Sequence, residues 1–422
     1  MSTGPYRHLE YLPEPEDPRM LTAIDPDAPG YPPEAYGVGV EHAEAWRQAT
    51  REAMSRPEKQ RPFGIFIVIT LVAVLLISYP WVVDFLGPTF TPDSQWAYDD
   101  TGITELQENY GLTGAGVRIC IVDTGVDLSH PDLSGINLVA YKDFIAGDDS
   151  TVQDRGTDMH GTMMVGILAA DGHLRGAAPG ADIIVAAALG SDGTTQSESI
   201  VAQAVLWCWS EAEADIISLS LGGDPDPENP LGSETANAVR KALENGVFVV
   251  AAAGNSGGAG TEVTDVSVPA NVDGVIAVGA IERSGDLWNK TATGSATEGA
   301  EGDIREEPHQ KPEVVAPGVG IISTSSTALA IPYSSSTGTS DATVFVTGAL
   351  ALILERHGSD LTRAGIDADR ADIDLVKQAL ADSCVRSDLQ GDSHHLRYGY
   401  GSLDAIAWER AVADAISARG PE

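Results

Sequence analysis

The stretch Val117-Arg118-Ile119-Cys120-Ile121-Val122-Asp123-Thr124-Gly125 is a short, β-branched apolar run that stops on an acid and a glycine. Runs of this kind, apolar at nearly every position, predict strands covered on both faces, as in parallel sheets. The pattern recurs at 183–188, 215–219, 247–252 and 275–279, and helical stretches near 160–170, 197–212, 233–245 and 340–356 lie between these runs. Such alternation predicts an α/β fold with a mostly parallel central sheet and helices on both faces. Sheets of this type place their chemistry at the C-terminal ends of strands. Asp123 follows one such run and Asn255 follows another.

Two further stretches carry residues that could act with Asp123. Ser340 opens an apolar helical run after Ser334-Ser335-Ser336-Thr337-Gly338-Thr339, and His160 opens another, His160-Gly161-Thr162-Met163-Met164. A serine hydroxyl is a poor nucleophile until a base takes its proton, and histidine has the pKa for that task near neutrality. An aspartate would hold the imidazole tautomer and stabilise its cationic form. Taken singly, each residue has a plainer explanation, such as a helix cap. The three together fit acyl transfer.

From about Gly111 to Val412 the chain resembles the subtilisin family (subtilases) of serine proteases. The resemblance rests on ordered blocks: Val122-Asp123-Thr124-Gly125-Val126-Asp127, His130-Pro131-Asp132-Leu133, His160-Gly161-Thr162 and Gly176-Ala177-Ala178-Pro179-Gly180. It continues through Ser218-Leu219-Ser220-Leu221-Gly222-Gly223, Val249-Val250-Ala251-Ala252-Ala253-Gly254-Asn255, Pro312-Glu313-Val314-Val315-Ala316-Pro317-Gly318, Gly338-Thr339-Ser340 and Gly399-Tyr400-Gly401. It implies a subtilisin-like three-layer αβα fold and a peptide-cleaving triad of Asp123, His160 and Ser340. It also makes the Asn255 side-chain amide an oxyanion donor, with the Ser340 N–H as the second. Ser220, Leu221 and Gly222 match one wall of the substrate cleft, and Gly193, Thr194 and Thr195 match the other. Protein or peptide substrates follow, with no cofactor in the chemistry.

The chain also departs from the family. After Ser340 stands Asp341, where relatives usually carry methionine; a buried carboxylate there needs a partner or a raised pKa. A catalytically weak or inactive peptide-binding protein is therefore the alternative function. The segment 169–176 is shorter than the family's calcium loop, although Asp132 matches a calcium ligand of relatives. Asp148, Asp149 and Asp303 are acidic enough to bind Ca²⁺ as well, so structural calcium is left open and no metal-ligand set is assigned.

Ahead of these blocks, residues 1–62 are acidic and proline-rich and read as a tail. Residues 63–86 contain a charge-free run of about 17 residues extended by Trp81-Val82-Val83, enough to cross a bilayer core as one helix. Arg51, Arg56, Lys59 and Arg61 precede it and Asp84 and Asp93 follow. This bias predicts a single-pass anchor with the N-terminus cytoplasmic and the catalytic domain outside. Residues 87–110 read as a linker too short for the family's usual pro-domain, 111–415 as the peptidase domain and 416–422 as a C-terminal tail. With 62 acidic against 25 basic residues, a net charge of −37, a nucleic-acid-binding surface is excluded, since phosphate contacts need clustered Lys and Arg. Three cysteines cannot build a disulfide framework. Cys120 and Cys208 read as buried free thiols; one disulfide is left open, with no basis for choosing a pair.

Overall fold

The structure, a computed structural model, describes residues 93–419 apart from 196, 226–231, 259–264, 299–301, 362–369, 389 and 392. It also describes Gln48, Arg51, Thr70, Val72 and Val74. The chain divides into two units, Met1–Gly87 and Pro88–Glu422. The sequence-predicted tail and membrane span lie outside the described residues, save for those five. Among the described residues no helix is long and apolar enough to cross a membrane.

Seven strands of the second unit form one sheet: β1 (Arg118–Asp123), β2 (Asn137–Asp143), β3 (Asp182–Ala187), β4 (Ile216–Leu219), β5 (Phe248–Ala252), β6 (Ile276–Ile281) and β7 (Val314–Pro317). Their order is β2-β3-β1-β4-β5-β6-β7, and every pairing is parallel. All residues of β4, β5, β6 and β7 are buried, which requires cover on both faces. One group of helices, α4 (Glu198–Ser210) and α5 (Glu234–Glu244), packs together against β1, β3, β4 and β5. The other includes α3 (His160–Ala169) and α6 (Thr339–His357), which pack on one another, α6 running against β4 to β7. Helix α6 is apolar on nearly every side from Ala342 to Leu354, as a helix sunk in a core must be. An antiparallel hairpin, β8 (Val319–Thr324) with β9 (Tyr333–Thr337), leads into it.

The strand order reverses direction around β1 and β4, so the crevice beyond their carboxyl ends is the topological switch point of the sheet. Asp123 is the last residue of β1, Ser220 directly follows β4, and Asn255 lies three residues past β5.

Two sequence expectations need correction. The stretch read as a linker holds two helices, α1 (Gln95–Asp100) and α2 (Ile103–Tyr110), turning at Gly102 with φ +74°. Ala97, Ile103 and Leu106 are fully buried, and the Gln107 amide donates to the carbonyls of Gly176 and Ala177 at 2.8 and 3.0 Å. The folded unit therefore starts well before residue 111. At the other end, α7 (Arg370–Ser383) is followed by α8 (Ala405–Arg419), which continues helix into the stretch read as a tail. The second correction concerns the thiols. Cys120 on β1 and Cys208 on α4 form a disulfide with Cα atoms 5.9 Å apart, because the crossover lays α4 over β1; Cys384 is free.

Candidate active site

The turn after β1 brings the chain back against the start of α3. Gly125 has φ +121°, and a Cβ there would strike the Gln153 carbonyl, while a Cβ on Gly161 would strike the Gly125 carbonyl oxygen. The two glycines let the strand end and the helix start approach within side-chain reach. Met159, at φ +60°, is a non-glycine residue in the left-handed region and turns the backbone sharply so that His160 opens the helix.

His160 Nδ1 sits 2.8 Å from Asp123 Oδ1 and 2.9 Å from Oδ2. With Nδ1–H donating to this fully buried carboxylate, Nε2 is left as the acceptor facing the cleft. The Asp123 carboxylate also accepts from the Thr124 N–H at 2.7 Å. Burial alone would push the His160 pKa down. The Asp123 charge and hydrogen bond outweigh it, Asp341 and Asp158 add to them, and the pKa rises to about 9.

A support that sequence reasoning missed fixes these partners. Asp154 accepts from the Thr162 N–H and hydroxyl at 2.7 and 2.6 Å and from the Thr124 hydroxyl at 2.7 Å. The Thr124 oxygen in turn accepts from the Gly161 N–H at 2.9 Å. One carboxylate thereby ties the residue after Asp123 to the first turn of the histidine helix. The threonines beside Asp123 and His160 were the available sign.

Ser340 is the second residue of α6, in the first turn, where backbone N–H groups have no partner within the helix. Its hydroxyl donates to the Ser220 carbonyl at 3.0 Å, and the Ser220 hydroxyl donates to the Ser340 carbonyl at 3.1 Å. Asn255 is held through its amide oxygen, which accepts from the Thr339 N–H at 3.0 Å and the Thr339 hydroxyl at 2.9 Å. Its Nδ2 donors are thereby left toward the loop, 3.3 Å from where a Cβ on Gly338 would lie.

One cleft of about 940 Å³ gathers these groups. His160, Ser340, Asn255, Ser220, Leu221, Gly222, Gly193, Thr194 and Thr195 all line it, while Asp123 lies buried behind His160. Every residue singled out for catalysis or substrate contact is therefore at one place. Asp158, Asp192, Glu198 and Asp224 also line the cleft, with no Lys or Arg among its described lining residues. The lining therefore carries net negative charge. The arrangement can stabilise charge on a serine-bound oxygen and shuttle one proton.

Asp132 does not fit a calcium ion. Its carboxylate accepts from the His173 and Leu174 N–H groups, each at 2.9 Å, and from the Tyr333 hydroxyl at 3.0 Å. The short loop 171–174 folds onto the carboxylate and satisfies it with donors. Among the described residues no group of three or more His, Cys, Asp or Glu is placed to hold a metal.

The pattern of the subtilase family matches residues 114–401. Subtilisin E of Bacillus subtilis (strain 168) is 36% identical over 267 residues, covering 61% of each chain. The major intracellular serine protease of the same organism is 36% identical over 252 residues, 58% of this chain and 70% of its own. Subtilisin DY of Bacillus licheniformis is 37% identical over 253 residues, 58% of this chain and 80% of its own. This chain thus spans about 61% of the length of subtilisin E. The matched segment contains the whole parallel sheet, the hairpin and the cleft residues named above, and the chain belongs to the subtilase family.

Proposed function

We propose that the chain is a serine endopeptidase hydrolysing protein or peptide substrates through an Asp123-His160-Ser340 triad. The observation that carries this is the convergence of Ser340, Asn255 and an Asp123-bound His160 on one cleft. His160 Nε2 takes the Ser340 proton as Oγ attacks the scissile carbonyl, and Asp123 stabilises the imidazolium. The oxyanion is held by the Asn255 amide and the Ser340 N–H. Return of the proton to the leaving amine gives the acyl-enzyme, which water then cleaves with His160 as base again. The nucleophile, base and oxyanion donors all belong to the chain, so the mechanism calls on no cofactor.

The position of the Ser340 hydroxyl suggests how substrate engages it. An extended peptide lying between Ser220-Leu221-Gly222 and Gly193-Thr194-Thr195 would pair with main-chain groups, as an added strand does. A substrate N–H that takes the Ser220 carbonyl displaces the Ser340 hydroxyl, which then turns to His160. The second reading, a weak or inactive peptide-binding protein, draws on Asp341 and on this resting hydrogen bond. Labelling with a fluorophosphonate separates them: an adduct at Ser340 is expected, and its absence from folded protein would sink the enzyme assignment.

Asn255→Ala is expected to lower kcat by about 10²–10³ with little change in KM, the loss typical of one oxyanion donor. Steady-state kinetics on a peptide amide would read it, and an unchanged kcat would remove Asn255 from the oxyanion hole.

We also propose that residues 63–86 anchor the protein in a membrane, with the N-terminus cytoplasmic and the second unit outside. The uncharged run and the flanking charges support this, and Thr70, Val72 and Val74 within the run are helical and exposed. The Cys120–Cys208 disulfide adds independent support, since such bonds persist on the oxidising side of membranes. Protease added to intact cells should degrade the catalytic unit; survival until the cells are lysed would reverse the topology.

A further inference from the structure

Asp341 is the residue that the proposed chemistry leaves unused. It is fully buried, and it directly follows Ser340 in the first turn of α6. One carboxylate oxygen, Oδ2, accepts from the Ser336 hydroxyl on β9 at 3.0 Å. The other, Oδ1, is buried without a hydrogen-bond partner among the described residues. A buried carboxylate oxygen that accepts no hydrogen bond is costly, and such groups in native folds need a reason.

The groups facing Asp341 narrow that reason. Tyr98, on α1, has its phenol pushed up by burial first and then by the Asp341 charge, but its hydroxyl donates elsewhere, to the Ile167 carbonyl at 3.2 Å. Ser336 contributes a neutral hydroxyl. Among the described groups bearing on Asp341, His160 on α3 is the one able to become positive. His160 opens α3, which packs on the α6 that carries Asp341, and the charges acting on it are those of Asp123, Asp341 and Asp158.

We propose that Asp341 is a positioning residue for hydrolysis: its carboxylate is a second buried negative charge acting on His160, and through Ser336 it closes a side-chain tie across the loop that carries Ser340. This rests on the triad assigned above. The tie spans residues 336–341, so Gly338, Thr339 and Ser340 lie within a ring closed at one end by β9 and at the other by α6. The charge acts on the base. Burial raises the Asp341 pKa to about 7, against the pull of the Ser336 hydrogen bond and of His160. Above that pH the ionised carboxylate favours the imidazolium.

The sign follows. Imidazolium cannot accept the Ser340 proton, so kcat/KM rises with pH until His160 is neutral, and each carboxylate that favours the charged form moves this rise to higher pH. Asp341 therefore places the working range on the alkaline side. During attack the Ser340 proton still passes to Nε2 alone, and Asp341 neither gains nor loses one. What it gains is a counter-ion, since its charge is uncompensated at rest and faces imidazolium in the transition state.

The test is the pH profile of kcat/KM for the full-length protein in detergent, wild type against Asp341→Asn. The asparagine keeps the size and an acceptor for Ser336 but removes the charge. The acid limb is expected to move down by about one pH unit or more, and the alkaline plateau to fall, because a base of lower pKa accepts a proton less readily. Asp341→Met, which removes tie and charge together, should move the limb the same way. A readout free of turnover is the imidazole NMR titration of His160 in a Ser340→Ala background, which should shift down in parallel with Asp341→Asn. Identical His160 midpoints with and without the Asp341 charge would overturn the proposal. Fluorophosphonate labelling run alongside keeps the two ideas apart: unlabelled wild type condemns the triad assignment, whereas the NMR titration still decides whether Asp341 acts on His160.

Discussion

Replacing Ser340 by alanine is expected to lower kcat by about 10⁴-fold or more, as losing the nucleophile does in serine hydrolases of this design. The change should read chemistry and little else. Ser340 is partly exposed at the cleft, and its hydroxyl donates to the Ser220 carbonyl, its one hydrogen bond among the described residues. Losing that bond costs about 1 kcal/mol. Asn255 is held by Thr339 and Asp123 holds His160, neither of which depends on the Ser340 hydroxyl. Far-ultraviolet circular dichroism and the thermal midpoint should therefore stay close to those of the wild type. His160→Ala should cost a similar amount, and the double variant little more than either single one, because nucleophile and base act as a unit. Hydrolysis that persists in Ser340→Ala at more than a hundredth of the wild-type rate would mean that another group attacks the peptide. Losses that simply multiply in the double variant would mean that His160 is not the base for Ser340.

What the sequence discloses depends on how local each cause is. Strands β1, β3, β4, β5 and β6 were legible to within a residue or two because they are covered on both faces and must be apolar throughout. Strand β2 was not, because it lies at the sheet edge and most of its residues are only partly buried. The run 334–337 is serine-rich and polar in sequence, yet it pairs with β8 as a strand, with Ser335 and Thr337 exposed. Helices α1 and α2 looked like linker because their apolar positions are few. Their partners, Gly176, Ala177 and Ile406, lie tens or hundreds of residues away.

The site shows the same division. Asp123, His160, Ser340 and Asn255 each stand beside glycine or small residues that allow close approach, and that feature is visible in the chain. Asp154 was harder to read, since the hydrogen bonds that join it to the site reach back 30 residues to Thr124 and forward 8 to Thr162. Asp341 was visible as an oddity, but the orphaned oxygen and the Ser336 tie appear only once β9 and α6 are assembled.

Removing the Cys120–Cys208 disulfide is expected to destabilise the catalytic unit by about 4–5 kcal/mol, the chain-entropy value for a closed loop of this size. The bond spans a sequence separation of 88 residues, and it was hidden in the sequence because only the helix crossover brings its ends together. Both residues are fully buried, so alanine is a better replacement than serine, which would bury two unpaired hydroxyls. Cys120→Ala with Cys208→Ala should lower the thermal midpoint by roughly 5–10 °C for a domain of this length. The functional consequence comes from where the bond sits. Cys120 lies three residues before Asp123 on β1, and α4 begins three residues after Thr195 on the wall of the cleft. The bond therefore pins the strand that carries the acid to the helix that anchors one substrate wall. The variant should lose activity on heating earlier than it loses helix content, because the cleft opens by local unfolding before the sheet gives way. Thiol counting on protein taken from cells tests the premise: after denaturation without reductant, one thiol should label, Cys384, and three after reduction. Three labelled thiols before reduction would mean that the bond does not form in the cell. The placement of this unit outside the cytoplasm would then rest on residues 63–86 and their flanking charges alone.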